Sequence, residues 1–360
     1  MDAPRADALP DPAIGLDPAA AAIELIRSFR AHFGRLGHRE RGRLPLVSRH
    51  DPSIRFTNST ISVFKAELLE PEPALLVQPA LRLRNLTHWQ RHGSVSGFGC
   101  YFVALGTLAP PGSLPAVQES VITWLRDGLG VAERRMVIRG SSLDPDLVGA
   151  AEATGVDVEV DGYDQHRYRH AFGLDGIRGR NTNLSLRTTS GLLDICNVIV
   201  IEREDGTPLA VETAFGVNTV LARIHDLRHV LLASAAASGA PEPVDLMAVD
   251  AAGSAVALLS EGLLPRSRGR AGNLRTLLTV FADRVSALGL SQLDAQVWLG
   301  NAVAAEYGVR EAMSPPGPET VAVAQSAVLA ELADCLSAAA DPPGDDMRPP
   351  RGITGPFPSR

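Results

Sequence analysis

The sequence predicts an α+β protein, in which a sheet-and-helix part is followed by an all-helical part. Three observations carry this expectation. First, the chain has 360 residues, 45% of them hydrophobic and 21% charged, which is ample for the core of an ordinary soluble protein and favours two domains. Second, strand-like apolar runs are joined by turns with few helical crossovers between them, which argues against a doubly wound sheet. Third, the character changes after Ser238-Gly239-Ala240-Pro241-Glu242-Pro243: from there on, the residues are rich in Ala, Leu and Val with helical periodicity. The expected organisation is a loose tail over 1–18, a mixed domain over 19–241, a helical domain over 242–341 and a second loose tail over 342–360. Both tails carry Pro, Asp and Gly with little apolar pattern. No internal repeat is present.

Residues 19–36 place Ile23, Ile26, Phe29 and Phe33 at near-helical spacing and stop at Gly37. Residues 55–65 and 74–84 read as extended or mixed, with Leu75-Leu76-Val77 and Tyr101-Phe102-Val103 as strand-like runs. A helix is expected over 114–129, just after Pro110-Pro111-Gly112. Residues 131–138, 156–160 and 193–202 read as strands, the second by strict alternation and the third by its apolar block. Glu204-Asp205-Gly206-Thr207 is a hairpin-type turn that returns the chain through 208–213. A long helix is expected over 217–233, and four more over 246–263, 272–288, 291–307 and 320–338.

Composition narrows the function classes. The formal net charge is −7 and no long basic run exists, so the footprint of autonomous DNA or RNA binding is missing. No stretch of about 18 apolar residues predicts a membrane span. The N-terminal residues show no basic and apolar segments of a secretory signal, and Cys100, Cys196 and Cys335 form neither a disulfide framework nor metal-ligand spacing. A cytoplasmic location is therefore expected. The glycine-rich phosphate loops G-x-G-x-x-G after a strand and G-x-x-x-x-G-K-[ST] are both absent, so any nucleotide is held in another way.

The most informative stretch is His50-Asp51-Pro52-Ser53-Ile54-Arg55-Phe56-Thr57-Asn58-Ser59-Thr60-Ile61-Ser62-Val63-Phe64-Lys65, which ends on the only lysine of the chain. Further on stand Gln78-Pro79-Ala80-Leu81-Arg82, Tyr101-Phe102-Val103-Ala104-Leu105-Gly106, the glycine-spaced run 173–183, Asp194-Ile195-Cys196-Asn197-Val198-Ile199-Val200 and Val211-Glu212-Thr213-Ala214-Phe215-Gly216-Val217-Asn218-Thr219. In this order they resemble the motifs of the alanyl-tRNA synthetase family: DP-x-x-x-FTN-x-x-x-x-x-FK, Q-R-C-x-R, FFEMLG, G-D-x-G-P-C-G-P-C-x-E, E-I-W-N-x-V-F and VDTGMGLER. The resemblance covers about residues 19–290 and plausibly extends to 340. It implies a class II synthetase-like antiparallel sheet flanked by helices, without the family's editing and C-terminal domains.

The resemblance also implies roles. Arg82 falls on the arginine that bridges the ATP α-phosphate and the amino-acid carboxylate, a task suited to a planar guanidinium. Phe102 is a candidate platform for adenine. Asn197 and Glu212 would hold the substrate ammonium, Glu212 in place of the family's Asp. Gly216 lies in the same motif, and His170 stands where the family has a Trp that walls the alanine pocket. The family's Glu in the second motif is Val103 here, and Asn183 stands for the Glu that closes the glycine run. Two placements of the last motif stay open. Ungapped, Thr219 replaces the arginine that grips the ATP γ-phosphate; with a short insertion, Arg223 takes that place.

The expected activity is that of an enzyme forming an aminoacyl-adenylate from ATP, with Mg²⁺, and a small amino acid, alanine or a relative. Transfer to a small-molecule amine, a nucleoside-like acceptor or a carrier protein, in specialised metabolism, is the leading expectation. It rests on a helix over 272–288 that lacks most of the arginines the family sets beside tRNA. The alternatives are a tRNA-dependent enzyme, with Arg266, Arg268, Arg270 and Arg275 on the acceptor stem, and a non-catalytic paralogue.

Overall fold

The computed structural model describes residues 16–47, 55–317, 320 and 323–340. Most of both expected tails lies outside these residues, as does the start of the opening motif, His50 to Ile54. Helix α1 (Pro18–Arg35) begins where the Asp17 carboxylate accepts the N–H groups of Ala19 and Ala20, and it buries Leu25, Ile26, Phe29 and Phe33 along one stripe. Then come β1 (Arg39–Glu40), α2 (Ile61–Phe64), β2 (Ala74–Leu81), α3 (Arg84–His92), β3 (Tyr101–Ala109), α4 (Leu114–Thr123), β4 (Met136–Gly140), α5 (Pro145–Glu152), β5 (Asp157–Val160), β6 (Arg169–Ala171), β7 (Ile177–Thr188), β8 (Gly191–Arg203), β9 (Pro208–Gly216) and α6 (Val217–Ile224). The described residues close with four further helices: α7 (Leu246–Leu259), α8 (Gly269–Ala287), α9 (Gln292–Ala312) and α10 (Gln325–Ala340).

The strands form one sheet in the order β1-β2-β3-β9-β8-β7-β4-β5, with β6 also on β7. All central pairings are antiparallel; only the outer pairs β1–β2 and β4–β5 are parallel. The fold is thus α+β, a mostly antiparallel sheet with flanking helices and a helical C-terminal region. One face of the sheet packs on α1, α4 and the helical region. Trp124 sits there fully buried, edge-on to Phe29 and Phe215 with ring centroids 5.3 and 5.2 Å away. The apolar core runs without a break from Leu25 and Val103 of the first part to Val256 and Phe281 of the second. No helix among the described residues is long and apolar enough to cross a membrane.

Two expectations need correcting. The helix over 217–233 ends early, at Ile224: Asp226 takes a left-handed φ of 53° and its carboxylate accepts the Thr189 N–H at 3.0 Å, so the chain turns and Val230–Ala233 forms a separate short helical turn. The longest missed element is β7. Its residues show no apolar alternation, because this strand buries Asn181, Thr182, Asn183 and Ser185, whose side chains hydrogen-bond one another and their neighbours, while Arg178 and Arg180 pair with Glu202.

Candidate functional site

The sheet face turned away from α1 carries a cavity of about 360 Å³. Its floor is set by register. Asn183 on β7 pairs with Asn197 on β8, Asn197 with Ala214 on β9, and Ala214 with Gly106 on β3. Two amides and two of the smallest residues therefore form one row across four strands. Gly106 is required to be glycine: a Cβ there would lie 2.7 Å from the Cγ2 of Thr60, which packs onto β3 at that point.

A β-bulge shapes the next feature. Between the Leu184–Cys196 and Ser185–Asp194 pairs, β8 carries one extra residue, Ile195. In a regular strand Asp194 and Asn197 would face opposite sides; the bulge turns both toward the cavity while Ile195 and Cys196 both enter the core. The Asp194 carboxylate accepts the Ser185 hydroxyl at 2.6 Å, the Tyr163 hydroxyl at 2.7 Å and the Asn183 amide at 3.3 Å. A carboxylate offers about four acceptor positions, so one remains for a ligand.

The opposite end is cationic and aromatic. Arg82 follows the last residue of β2 and is exposed; its Nε donates to the Asn58 carbonyl at 3.1 Å, and its guanidinium carbon lies 4.8 Å from the centre of the Phe102 ring. Its backbone N–H donates to the Cys100 carbonyl at 2.8 Å, and both Asp250 oxygens on α7 accept the Cys100 N–H at 2.7 and 2.9 Å. The helical region thereby holds the strand end that presents Arg82. His170 and Asn197 meet at 3.2 Å between Nε2 and Nδ2, and the His170 ring stacks on Phe172 with centroids 6.2 Å apart. Burial, and next to it the charge of Arg82, pulls the His170 pKa below its ordinary value, so the neutral ring accepts from the Asn197 amide.

Of the residues singled out in the sequence, Arg82, Phe102, His170, Asn197 and Gly216 line this one cavity. Glu212 and Arg223 do not. Glu212 is 2% exposed and lies beneath Thr60, whose hydroxyl donates to its Oε1 at 2.7 Å, so Thr60 and not Glu212 faces the cavity. The helix α6 starts directly after β9 without an insertion, and Thr219 in its first turn lines the cavity. Arg223, one turn on, stays outside the lining, partly buried, with no hydrogen-bond partner for its Nε among the described residues. Asp194, Asn183, Thr60 and Arg167 complete the wall and were not among the candidate ligands. Thr60, Asn183 and Asp194 do stand within the quoted motifs, Asp194 at the start of an apolar block and Asn183 in an unusually polar run over 178–187.

No group of three or more metal-ligating side chains exists among the described residues, and Asp194 has most of its acceptor positions taken. The side chains here do not build a Mg²⁺ site of their own.

Burial pushes the Glu212 pKa up to about 7 from 4.5. A carboxyl group with a raised folded-state pKa stabilises the fold fully below its unfolded value and loses that contribution as pH rises to the folded one. Urea unfolding should therefore show a stability that falls between about pH 4.5 and about pH 7, with about 2–3 kcal/mol of the fall due to Glu212. Glu212→Gln removes this share, so it should match the parent near pH 5 and exceed it near pH 8. Equal pH profiles for the two proteins would show that folding leaves the Glu212 pKa unshifted.

No protein-family model matches this chain, and no curated protein sequence matches it. Among solved structures it is similar to asparaginyl-tRNA synthetase from Pyrococcus horikoshii, with 14% identity and a TM-score of 0.38 over 61% of this chain and 67% of that one. It is also similar to histidyl-tRNA synthetase from S. aureus, with 12% identity and a TM-score of 0.38 over 61% and 74% of the two chains. A third similar structure is aspartyl-tRNA synthetase from Entamoeba histolytica, with 8% identity and a TM-score of 0.35 over 61% and 57%.

Proposed function

We propose that this protein activates a small amino acid with ATP as an aminoacyl-adenylate and passes the aminoacyl group to an acceptor other than tRNA. The observation that carries the reading is that one cavity holds Arg82 against Phe102 at one side and Asp194 with Asn183 and Asn197 at the other. In this mechanism the adenine stacks beside Phe102 and the guanidinium of Arg82 spans the α-phosphate and the substrate carboxylate. A carboxylate oxygen attacks the α-phosphorus, the bond to the β-phosphate oxygen breaks, and pyrophosphate leaves with that electron pair. Arg82 neutralises the charge that gathers as the two anions meet. Asp194 takes the ammonium at its open acceptor position, and the amides of Asn183 and Asn197 orient it. The motif resemblance gives that role to Glu212; its place beneath Thr60 favours Asp194. The acceptor amine or hydroxyl then attacks the mixed anhydride and AMP leaves.

The test is amino-acid-dependent ATP–pyrophosphate exchange across the twenty amino acids. Exchange with one small amino acid, unchanged by RNase, is the expected result; silence with all twenty sinks the reading. A second reading is tRNA-dependent chemistry, which the exposed Arg266, Arg268 and Arg275 around the start of α8 favour. It requires a tRNA gel shift that weakens steeply with salt.

A further inference from the structure

A second cavity, of about 420 Å³, lies where the segment after β1 meets α9 and the residues just beyond that helix. Arg30, Arg43, Arg310, Glu311 and Thr320 bring polar groups to its wall, and Tyr307, Met313 and Val323 bring apolar surface. Arg43 and Arg310 are each only 9% exposed. Arg43 donates through Nη1 to the Ser314 carbonyl at 2.6 Å, and no ion pair joins it to a carboxylate among the described residues. Its Nε has no acceptor there, and neither do Nη1 of Arg310 and the hydroxyl of Thr320.

Of the neighbouring acids, Glu261 and Glu306 are already committed, while Glu311 is exposed at the rim. Glu261 accepts Arg310 Nη2 at 3.0 Å and the Leu46 N–H at 2.6 Å. Glu306 accepts the Tyr101 hydroxyl and stands 3.9 Å from Arg310 Nη1, and burial pushes its pKa up to about 7. Arg30 is matched by Glu40 at 2.7 Å. Burial, followed by the charge of Arg310, pulls the Arg43 guanidinium below its ordinary pKa. Among the described residues, the buried Arg43 guanidinium therefore has no carboxylate within ion-pair distance, and it lines an open volume. Buried cations are otherwise paired, because an unpaired one has lost its hydration with nothing in return.

We infer that this cavity binds a small organic anion, its carboxylate or phosphate head held by Arg43, Arg310 and Thr320 and its apolar part lying along Met313 and Val323. The head would lie against the Arg43 guanidinium, which no carboxylate pairs among the described residues, and the charge-assisted geometry of a guanidinium suits both head groups.

The test uses the full chain and needs no turnover, so it stands or falls separately from the adenylation reading. Thermal unfolding is followed at fixed pH and ionic strength while chloride is replaced by inorganic phosphate in one arm and by acetate in the other. A ligand that binds only the folded state raises the unfolding temperature with saturation. A saturable rise with at least one of the two anions is expected, and the arm that responds identifies the head group. Arg43→Gln should weaken the apparent affinity about tenfold or more, and Arg82→Ala, in the other cavity, should leave it unchanged. The inference is overturned if neither anion saturates, if Arg43→Gln binds like the parent, or if the effect disappears with Arg82→Ala. Should Arg43→Gln fail to fold, Thr320→Val carries the same decision, with severalfold weaker binding as the expected result and parental binding as the overturning one.

Discussion

Arg82→Ala should lower amino-acid-dependent pyrophosphate exchange by about 10²–10³-fold, the usual effect of removing one group that stabilises charge in the transition state. The fold should be unaffected. The side chain is exposed, and substitutions at such positions generally stay within about 0.5 kcal/mol. The position of Arg82 is set by its backbone, through the Cys100 carbonyl and, beyond it, Asp250, and those bonds survive the substitution. Arg82→Lys should recover only part of the rate, since an ammonium group cannot span two anions as a planar guanidinium does. Exchange that survives in Arg82→Ala at close to the parental rate would remove Arg82 from the chemistry and leave the phosphate ligand to be sought at Arg167.

Asp194→Asn is the second large effect. Losing the charge that meets the substrate ammonium should reduce kcat/KM by about 10²-fold or more, mostly through KM, as for other buried charge-assisted contacts. Asparagine retains an oxygen to accept from Ser185 and Tyr163, so the wall of the cavity keeps its shape. Asp194→Ala would leave those two hydroxyls and the Asn183 amide without their acceptor and should also cost stability. The contrast with Glu212→Gln makes the measurement decisive. With Asp194 on the ammonium, Glu212→Gln keeps KM within about threefold of the parent. The opposite pattern, with KM raised in Glu212→Gln and kept in Asp194→Asn, would return the ammonium to Glu212 and require Thr60 to move aside.

Much of the fold was legible because its signals are local. The apolar stripe of α1, the alternation in β5, the apolar block of β8, the hairpin turn at Gly206 and the Ala/Leu-rich helices of the C-terminal region each need only their own residues. Residues singled out by motif, Arg82, Phe102 and Asn197 among them, meet in one cavity.

Register and depth are properties that no local pattern contains. Strand β7 is polar because it is central and its side chains satisfy one another; a periodicity search reads such a run as loop. Asp194 reaches the cavity only because a bulge at Ile195 breaks the alternation that would have turned it away. Glu212 lies on a strand of the site but beneath Thr60, and that layering depends on the missing side chain at Gly106, far away in sequence. The early stop of α6 depends on Asp226 finding the Thr189 N–H across the fold. By itself, then, the sequence determined the α+β class and much of the order of the elements, since these rest on propensity and periodicity. Which carboxylate faces the cavity was decided by tertiary structure alone, because a polar group's exposure is set by the neighbours that cover it.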